Sequence, residues 1–192
     1  ITLSGSSLNS IQSVSPFLTA SWSAANNGGS GSFQSVGDYL TLPANSTFAI
    51  TSSTDFTMEC WVYYTSTPTN YSWMIYFVDA SSNEFSIRTG DAGFSYKIQG
   101  NLGPGLQGIL DNASYTASYL QNKWTHLAFT RSGTTVRLFV DGTLIASNTN
   151  ITAIGTPTSN SLIGRGFSGT SSPPGYISDV RYIKGNALYT AS

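Results

Sequence analysis

A chain of 192 residues suits one domain with room for an appended arm, and its 40% hydrophobic and 13% aromatic content is enough to build a core. Charged residues are only 9% and the net charge is −1, which excludes the basic footprint of a nucleic-acid or anionic-membrane binder. Solvation falls to Ser, Thr, Asn, Gly and Tyr, a surface common on exported and virion proteins, and no apolar run approaches the ~20 residues of a membrane span.

Residues 1–31, rich in Ser, Asn and Gly and ending AANNGGSG, read as an extended arm or linker. Phe17, Leu18 and Trp22 are unusual in an unanchored linker. Part of the arm is therefore expected to pack, with a short strand around 17–22, on the domain or on a neighbouring subunit. The chain lacks an initial Met and a signal-peptide pattern, so it is expected to be a processed product or part of a longer protein.

From residue 32 the pattern changes. DYLTLP (38–43) alternates apolar and polar residues and stops at Pro43. FTMECWVYY (56–64) puts Phe56, Met58, Cys60, Val62 and Tyr64 on one face and Thr57, Glu59, Trp61 and Tyr63 on the other, the period of a half-buried strand. WMIYFVDA (73–80), EFSIRTG (84–90) and FSYKIQG (94–100) continue a meander punctuated by Asn, Asp and Gly. Residues 101–122 read as a non-strand segment, in which Gly103, Pro104 and Gly105 rule out a continuous helix. LIGRG (162–166) and YISDVRYI (176–183) supply late strands. Short strands separated by turn signals, with no sustained helical period, predict an all-β sandwich or barrel.

KWTHLAFTRSGTTVRLFVDGTLIA (123–146) holds the chain's one histidine, His126, and Asp141. Trp124, His126, Ala128 and Thr130 share a strand face. Asp141–Gly142 is a hairpin signal, which makes Asp141 a turn residue. His126 has no HxH or HxxxH partner and no visible triad, so it is read as a sheet residue. Cys60 has no second cysteine to bridge and sits among core positions, so it is expected to be buried and inert. The Asn-x-Ser/Thr sites at Asn45, Asn70, Asn112 and Asn150 are what chance makes in so Asn- and Ser-rich a chain.

In order, GDYLTLP, DFTMECWVYY, KWTHLAFTRSGTTVRLFVDGTLIAS, LIGRG and GYISDVRYIKGNALYT resemble a laminin-G-like domain of the concanavalin A-like lectin/glucanase superfamily over about 32–190. The resemblance implies a jelly-roll sandwich of two antiparallel sheets over 32–192, of the type found in phage tail-fibre, other virion and bacterial surface proteins. It is compatible with three functions. One is a non-catalytic glycan- or receptor-binding or adhesion module on a virion or cell surface. A second is a structural virion or appendage subunit that contacts copies of itself or other subunits, and the third is a glycoside hydrolase. The glucanase branch carries clustered acids of the form ExDxxE, which this chain lacks, so no catalytic residue is assigned. Glycan contact is expected from aromatic and planar polar side chains on loops: Tyr71 and Trp73 in TSTPTNYSW, and Asp111, Asn112, Tyr115 and Tyr119 in LDNASYTASY. Laminin-G-like domains frequently hold a rim calcium ion. Asp79, Asn83 and Asp91, with Asp111 and Asn112, lie in loops that could supply oxygens, but none has a diagnostic spacing and turn formation is the preferred reading of them. Asp179 and Arg181 share a strand face and read as structural.

Overall fold

The computed structural model describes residues 28–105, 107–166, 169 and 172–191. Most of the arm read over 1–31, including the strand expected around 17–22, lies outside them. The described chain forms β1 (Gly31–Phe33), β2 (Leu40–Leu42), β3 (Phe56–Tyr64), β4 (Ser72–Val78), β5 (Asn83–Thr89), β6 (Lys97–Pro104), β7 (Ile109–Thr116), β8 (Thr125–Ser132), β9 (Thr135–Val140), β10 (Thr143–Thr149), β11 (Ser161–Ile163) and β12 (Gly175–Lys184). They make two six-stranded sheets, ordered β1-β12-β3-β8-β9-β10 and β2-β11-β4-β5-β6-β7, with antiparallel pairing throughout. This is the expected jelly-roll sandwich.

Alternation decides which side chains enter the core. Phe56, Met58, Cys60, Val62 and Tyr64 of β3 are fully buried between the sheets, with Leu127 and Phe129 of β8 and Phe85 and Ile87 of β5. The rings of Phe56, Phe85 and Phe129 meet edge-on or tilted across the two layers, with centroids 4.6, 5.5 and 6.2 Å apart. Asp141 (φ 48°) and Gly142 (φ 77°) make the two-residue hairpin between β9 and β10, a turn that needs two positive φ angles.

Two segments differ from the sequence reading. Residues 101–122 are not a loop: β6 runs on to Pro104 and β7 occupies Ile109–Thr116, followed by a 3-10 turn at Ala117–Leu120. Pro104 ends its strand instead of interrupting it, and a proline lacks only the donor there. Phe94–Tyr96, read as strand, belong to a 3-10 turn over Ala92–Phe94 followed by two left-handed residues, Ser95 and Tyr96. The turn is capped by Asp91, which accepts from Gly93 N at 3.0 Å.

The chain after β12 turns back across the outer face of the first sheet. Thr57 Oγ1 donates to the Asn186 carbonyl at 3.1 Å and accepts from Leu188 N at 2.9 Å. Thr130 Oγ1 donates to the Tyr189 carbonyl at 2.9 Å. The polar alternate positions of β3 and β8 thus become the floor on which the C-terminal segment lies.

Candidate ligand-binding site

The outer faces of the two sheets each carry a polar cluster, and the two differ in kind. On the first sheet, Glu59 of β3 is 3% exposed and collects donors from three directions. Arg181 of β12 pairs with it through Nε and Nη2, Tyr189 donates its hydroxyl at 2.7 Å, and His126 Nε2 lies 3.3 Å away. Burial would push the Glu59 carboxyl up. The His126 and Tyr189 hydrogen bonds and the His126 and Arg181 charges outweigh it and hold the carboxyl below the ordinary carboxylate range. This is a closed structural clasp: both oxygens are occupied, by Arg181 on one side and by Tyr189 and His126 on the other. His126 is the sheet residue it was read as, and its partners come from β3 and the C-terminal segment.

The second sheet presents an open-edged arrangement. Trp73 of β4 lies opposite Arg88 of β5, Arg88 opposite Gln99 of β6, and Gln99 opposite Asp111 of β7, so four strands place one residue each in a single row. The row is hydrogen-bonded from end to end. Trp73 Nε1 donates to Glu84 Oε1 at 3.0 Å, and Arg88 Nη1 donates to both Glu84 oxygens at 2.9 Å. Arg88 Nε donates to Gln99 Oε1 at 3.0 Å, and Gln99 Nε2 to Asp111 Oδ2 at 3.2 Å. Lys97 Nζ closes the end on Asp111 Oδ1 at 3.2 Å, and Ser86 Oγ donates to Glu84. Arg88 is 2% exposed, yet its Nη2 has no hydrogen-bond partner. The Tyr71 and Trp73 rings lie beside its guanidinium, with centroids 5.0 and 5.9 Å from Cζ.

Tyr71 stands at the lip of this face. Its ring packs between Trp73 and Phe94, with centroids 5.5 and 5.9 Å away. Burial and then the Asp91 carboxylate push its hydroxyl up, with Arg88 acting against them. Tyr71, Lys97 and Asp111 are partly open to solvent, and Glu84, Ser86, Arg88 and Gln99 form the buried floor.

The structure therefore brings together Tyr71, Trp73 and Asp111 from the sequence-predicted set and separates the others. Trp73 is not an exposed loop platform. It is 8% exposed on β4, and the Gly166 backbone passes so close that a Cβ there would lie 2.2 Å from the indole. Asp111, Asn112 and Tyr115 lie on a strand, not a loop. Asn112 donates its amide to the Ile145 carbonyl of β10 at 2.9 Å, and Tyr115 packs on Tyr119, 5.1 Å between centroids. Neither joins the row. Glu84, Arg88, Lys97 and Gln99 were missed. Their signal was present: in a chain with few charges, Glu84 and Arg88 share the polar parity of EFSIRTG, and Lys97 and Gln99 that of FSYKIQG.

The calcium candidates do not form one site. Asp79 and Asn83 meet at the start of β5, and Asp91 lies beyond its other end. Asp79 accepts four hydrogen bonds, from Ser81 N, Asn83 N, Asn83 Nδ2 and Gly155 N, at 2.8–3.0 Å. Those four donors take up the Asp79 oxygens, so the Asp79–Asn83 pair as arranged does not fit a calcium ion.

The chain matches the Laminin_G_3 family, described as the concanavalin A-like lectin/glucanases superfamily, over residues 33–188. Among curated proteins none matches it in sequence. Its fold is similar to domains LG4-5 of the mouse laminin alpha1 chain, with a TM-score of 0.61 and 18% identity over 80% of this chain and 40% of that one. It is also similar to the binding domain of Paraclostridial Mosquitocidal Protein 1, with a TM-score of 0.54 and 15% identity over 84% of this chain and 44% of that one. Trypanosoma rangeli sialidase, in complex with 2,3-difluorosialic acid, aligns with a TM-score of 0.56 and 17% identity over 80% of this chain and 25% of the enzyme. The chain thus spans less than half the length of each of these structures, and at such identities the likeness speaks for the fold. The family match covers most of the chain and agrees with the two-sheet topology; the chain belongs to the concanavalin A-like lectin/glucanases superfamily as a laminin-G-like domain.

Proposed function

We propose that this chain is a non-catalytic module that binds a glycan or a glycosylated receptor on a virion surface, such as a phage tail fibre or capsid, or on a cell surface. The outer face of the second sheet is its contact surface. The observation that carries this reading is the hydrogen-bonded row Trp73–Glu84–Arg88–Gln99–Asp111–Lys97, bordered by the Tyr71 ring. Planar donors and acceptors locked by one another, beside an aromatic ring at the lip, suit sugar hydroxyls and a sugar's apolar face. Both carboxylates in the row are already engaged, Glu84 by Arg88 and Asp111 by Lys97. Glycoside hydrolysis needs one carboxyl free to protonate a leaving group and another free to attack or to activate water. A binding domain and a sialidase among the similar folds are compatible with this assignment.

A glycan array run with the wild-type chain and with Tyr71→Ala tests it. Signal on the wild type that Tyr71→Ala abolishes is expected. Absence of signal on every glycan sinks the reading, and turnover of a bound glycan replaces it with an enzyme.

One observation favours a second reading, a structural subunit making protein contacts with its own copies or other virion subunits. Tyr176, Tyr63 and Trp124 form a half-buried aromatic row on the outer face of the first sheet, with centroids 6.1 and 5.8 Å apart. Light scattering of the full chain and of a form lacking residues 1–27 decides it: a stable oligomer supports this reading, and a monomer in both forms removes it.

A further inference from the structure

We infer that the ligand of the second sheet's outer face is an uncharged, hydroxyl-rich saccharide and not a sialylated, uronic or sulfated one. This rests on the binding reading above and follows from the charges on that face. The two cations of the row are each committed to a carboxylate: Arg88 to Glu84 at 2.9 Å and Lys97 to Asp111 at 3.2 Å. A third carboxylate, Asp91, acts on Tyr71 at the lip. Arg165, toward the β2 edge, lies over the Tyr39 ring with its Cζ 4.6 Å from the centroid. A carboxylate or sulfate brought to Tyr71 would meet three like charges and no uncommitted ammonium or guanidinium in the row. It would also lose its own hydration.

A hydroxyl fits the same groups. Arg88 Nη2 is a buried donor without a partner, and it needs an acceptor but no charge, because Glu84 already neutralises the guanidinium. On the rim, the oxygens of Asp111 and the ammonium of Lys97 present an acceptor and a donor side by side, the pattern a vicinal diol satisfies.

The test is an array of neutral oligosaccharides (glucose, galactose, mannose and N-acetylhexosamine types) paired with sialylated, uronic-acid and sulfated counterparts, probed with the full chain. Binding confined to the neutral set, and unchanged at about 0.5 M salt where the screening length falls to a few Å, is expected. Tyr71→Ala should weaken that binding at least about tenfold, the scale of a lost aromatic contact. Lys97→Ala, a rim change that leaves the floor intact, should weaken it as well. Binding confined to acidic glycans, or abolished by the salt, overturns this inference and leaves the binding reading standing. Neutral binding that survives both substitutions also overturns it, because the site is then elsewhere. No binding to either set overturns both.

Discussion

Tyr189 and Glu59 are separated by 130 positions, and the Tyr189 hydroxyl donates to the Glu59 carboxylate at 2.7 Å on a face where that carboxylate is almost wholly buried. The contact fastens the C-terminal segment to the middle of the first sheet. Removing the hydroxyl leaves a buried anion short of one donor. Tyr189→Phe should cost about 1.5–3 kcal/mol, the range of hydrogen bonds to charged groups, read as a lowered midpoint in urea with an unchanged slope. An unchanged midpoint would mean that the segment is not held by this bond.

The same carboxylate sets a pH dependence. Its pKa in the fold lies below the unfolded value, so its contribution to stability is fully present above the unfolded value, about 4.3, and is lost as pH falls through the folded one. Glu59→Gln should therefore destabilise the protein at neutral pH and flatten the fall of stability with acid. Thermal melts of both forms across the acid range provide the measurement.

Arg131 is a fully buried cation whose partners are carbonyls. Its guanidinium donates to Thr54 O and Thr152 O at 2.9 Å and also to Thr51 O, with its Cζ 5.4 Å from the Phe56 ring. It ties together the 51–54 turn and the loop after β10. Lysine retains the charge but not the planar fork, so Arg131→Lys is expected to cost about 3 kcal/mol or more, as a broken buried network does. A loss under 1 kcal/mol in chemical denaturation would contradict the role given to the fork.

Glu84 and Arg88 form a buried pair four residues apart on β5. Breaking it from one side leaves the other charge uncompensated. Arg88→Met should cost about 3–5 kcal/mol, and the double change with Glu84→Leu should recover much of that. A double-mutant cycle with no coupling would dismantle the floor of the proposed site.

Asp79 staples the β4–β5 turn to Gly155. Burial pushes its carboxyl up, but the Asn83 amide and the Gly155, Asn83 and Ser81 N–H groups outweigh it and hold the carboxyl below the ordinary range. Its contribution is therefore also lost toward acid. Asp79→Ala is expected to cost about 2 kcal/mol. Because its oxygens face N–H donors, calcium and a chelator should shift the melting temperature by less than about 1 °C, since only a ligand of the folded state stabilises it. A calcium-dependent rise of several degrees would place an ion on the chain after all.

Cys60 is fully buried, and desolvation pushes its thiol well up, with Glu59 and Asp179 adding to the effect. A thiol reagent should label it only at the rate of global unfolding. Rapid labelling in native buffer would contradict that burial.

Most strands, the two faces of each and the family resemblance were legible in the amino-acid string. In FTMECWVYY the period of two already assigns Met58 and Cys60 to the core and Glu59 and Trp61 to the outside, because successive side chains on a strand point opposite ways. Asp141–Gly142 announces its own hairpin, because few residue pairs tolerate two positive φ angles. Both signals are local and survive in a one-dimensional string. Residues 101–122 resisted because β7 owes its strand state to pairing with β6, not to its own composition. Which outward residues meet was settled by the folded sheets. Trp73, Arg88, Gln99 and Asp111 come from four strands, and their row exists only once register is set. Glu59 gains its partners only when β12 and the C-terminal segment arrive beside it. Parity along a strand is fixed by backbone geometry; partnership across strands depends on register, and register is a property of the folded sheet.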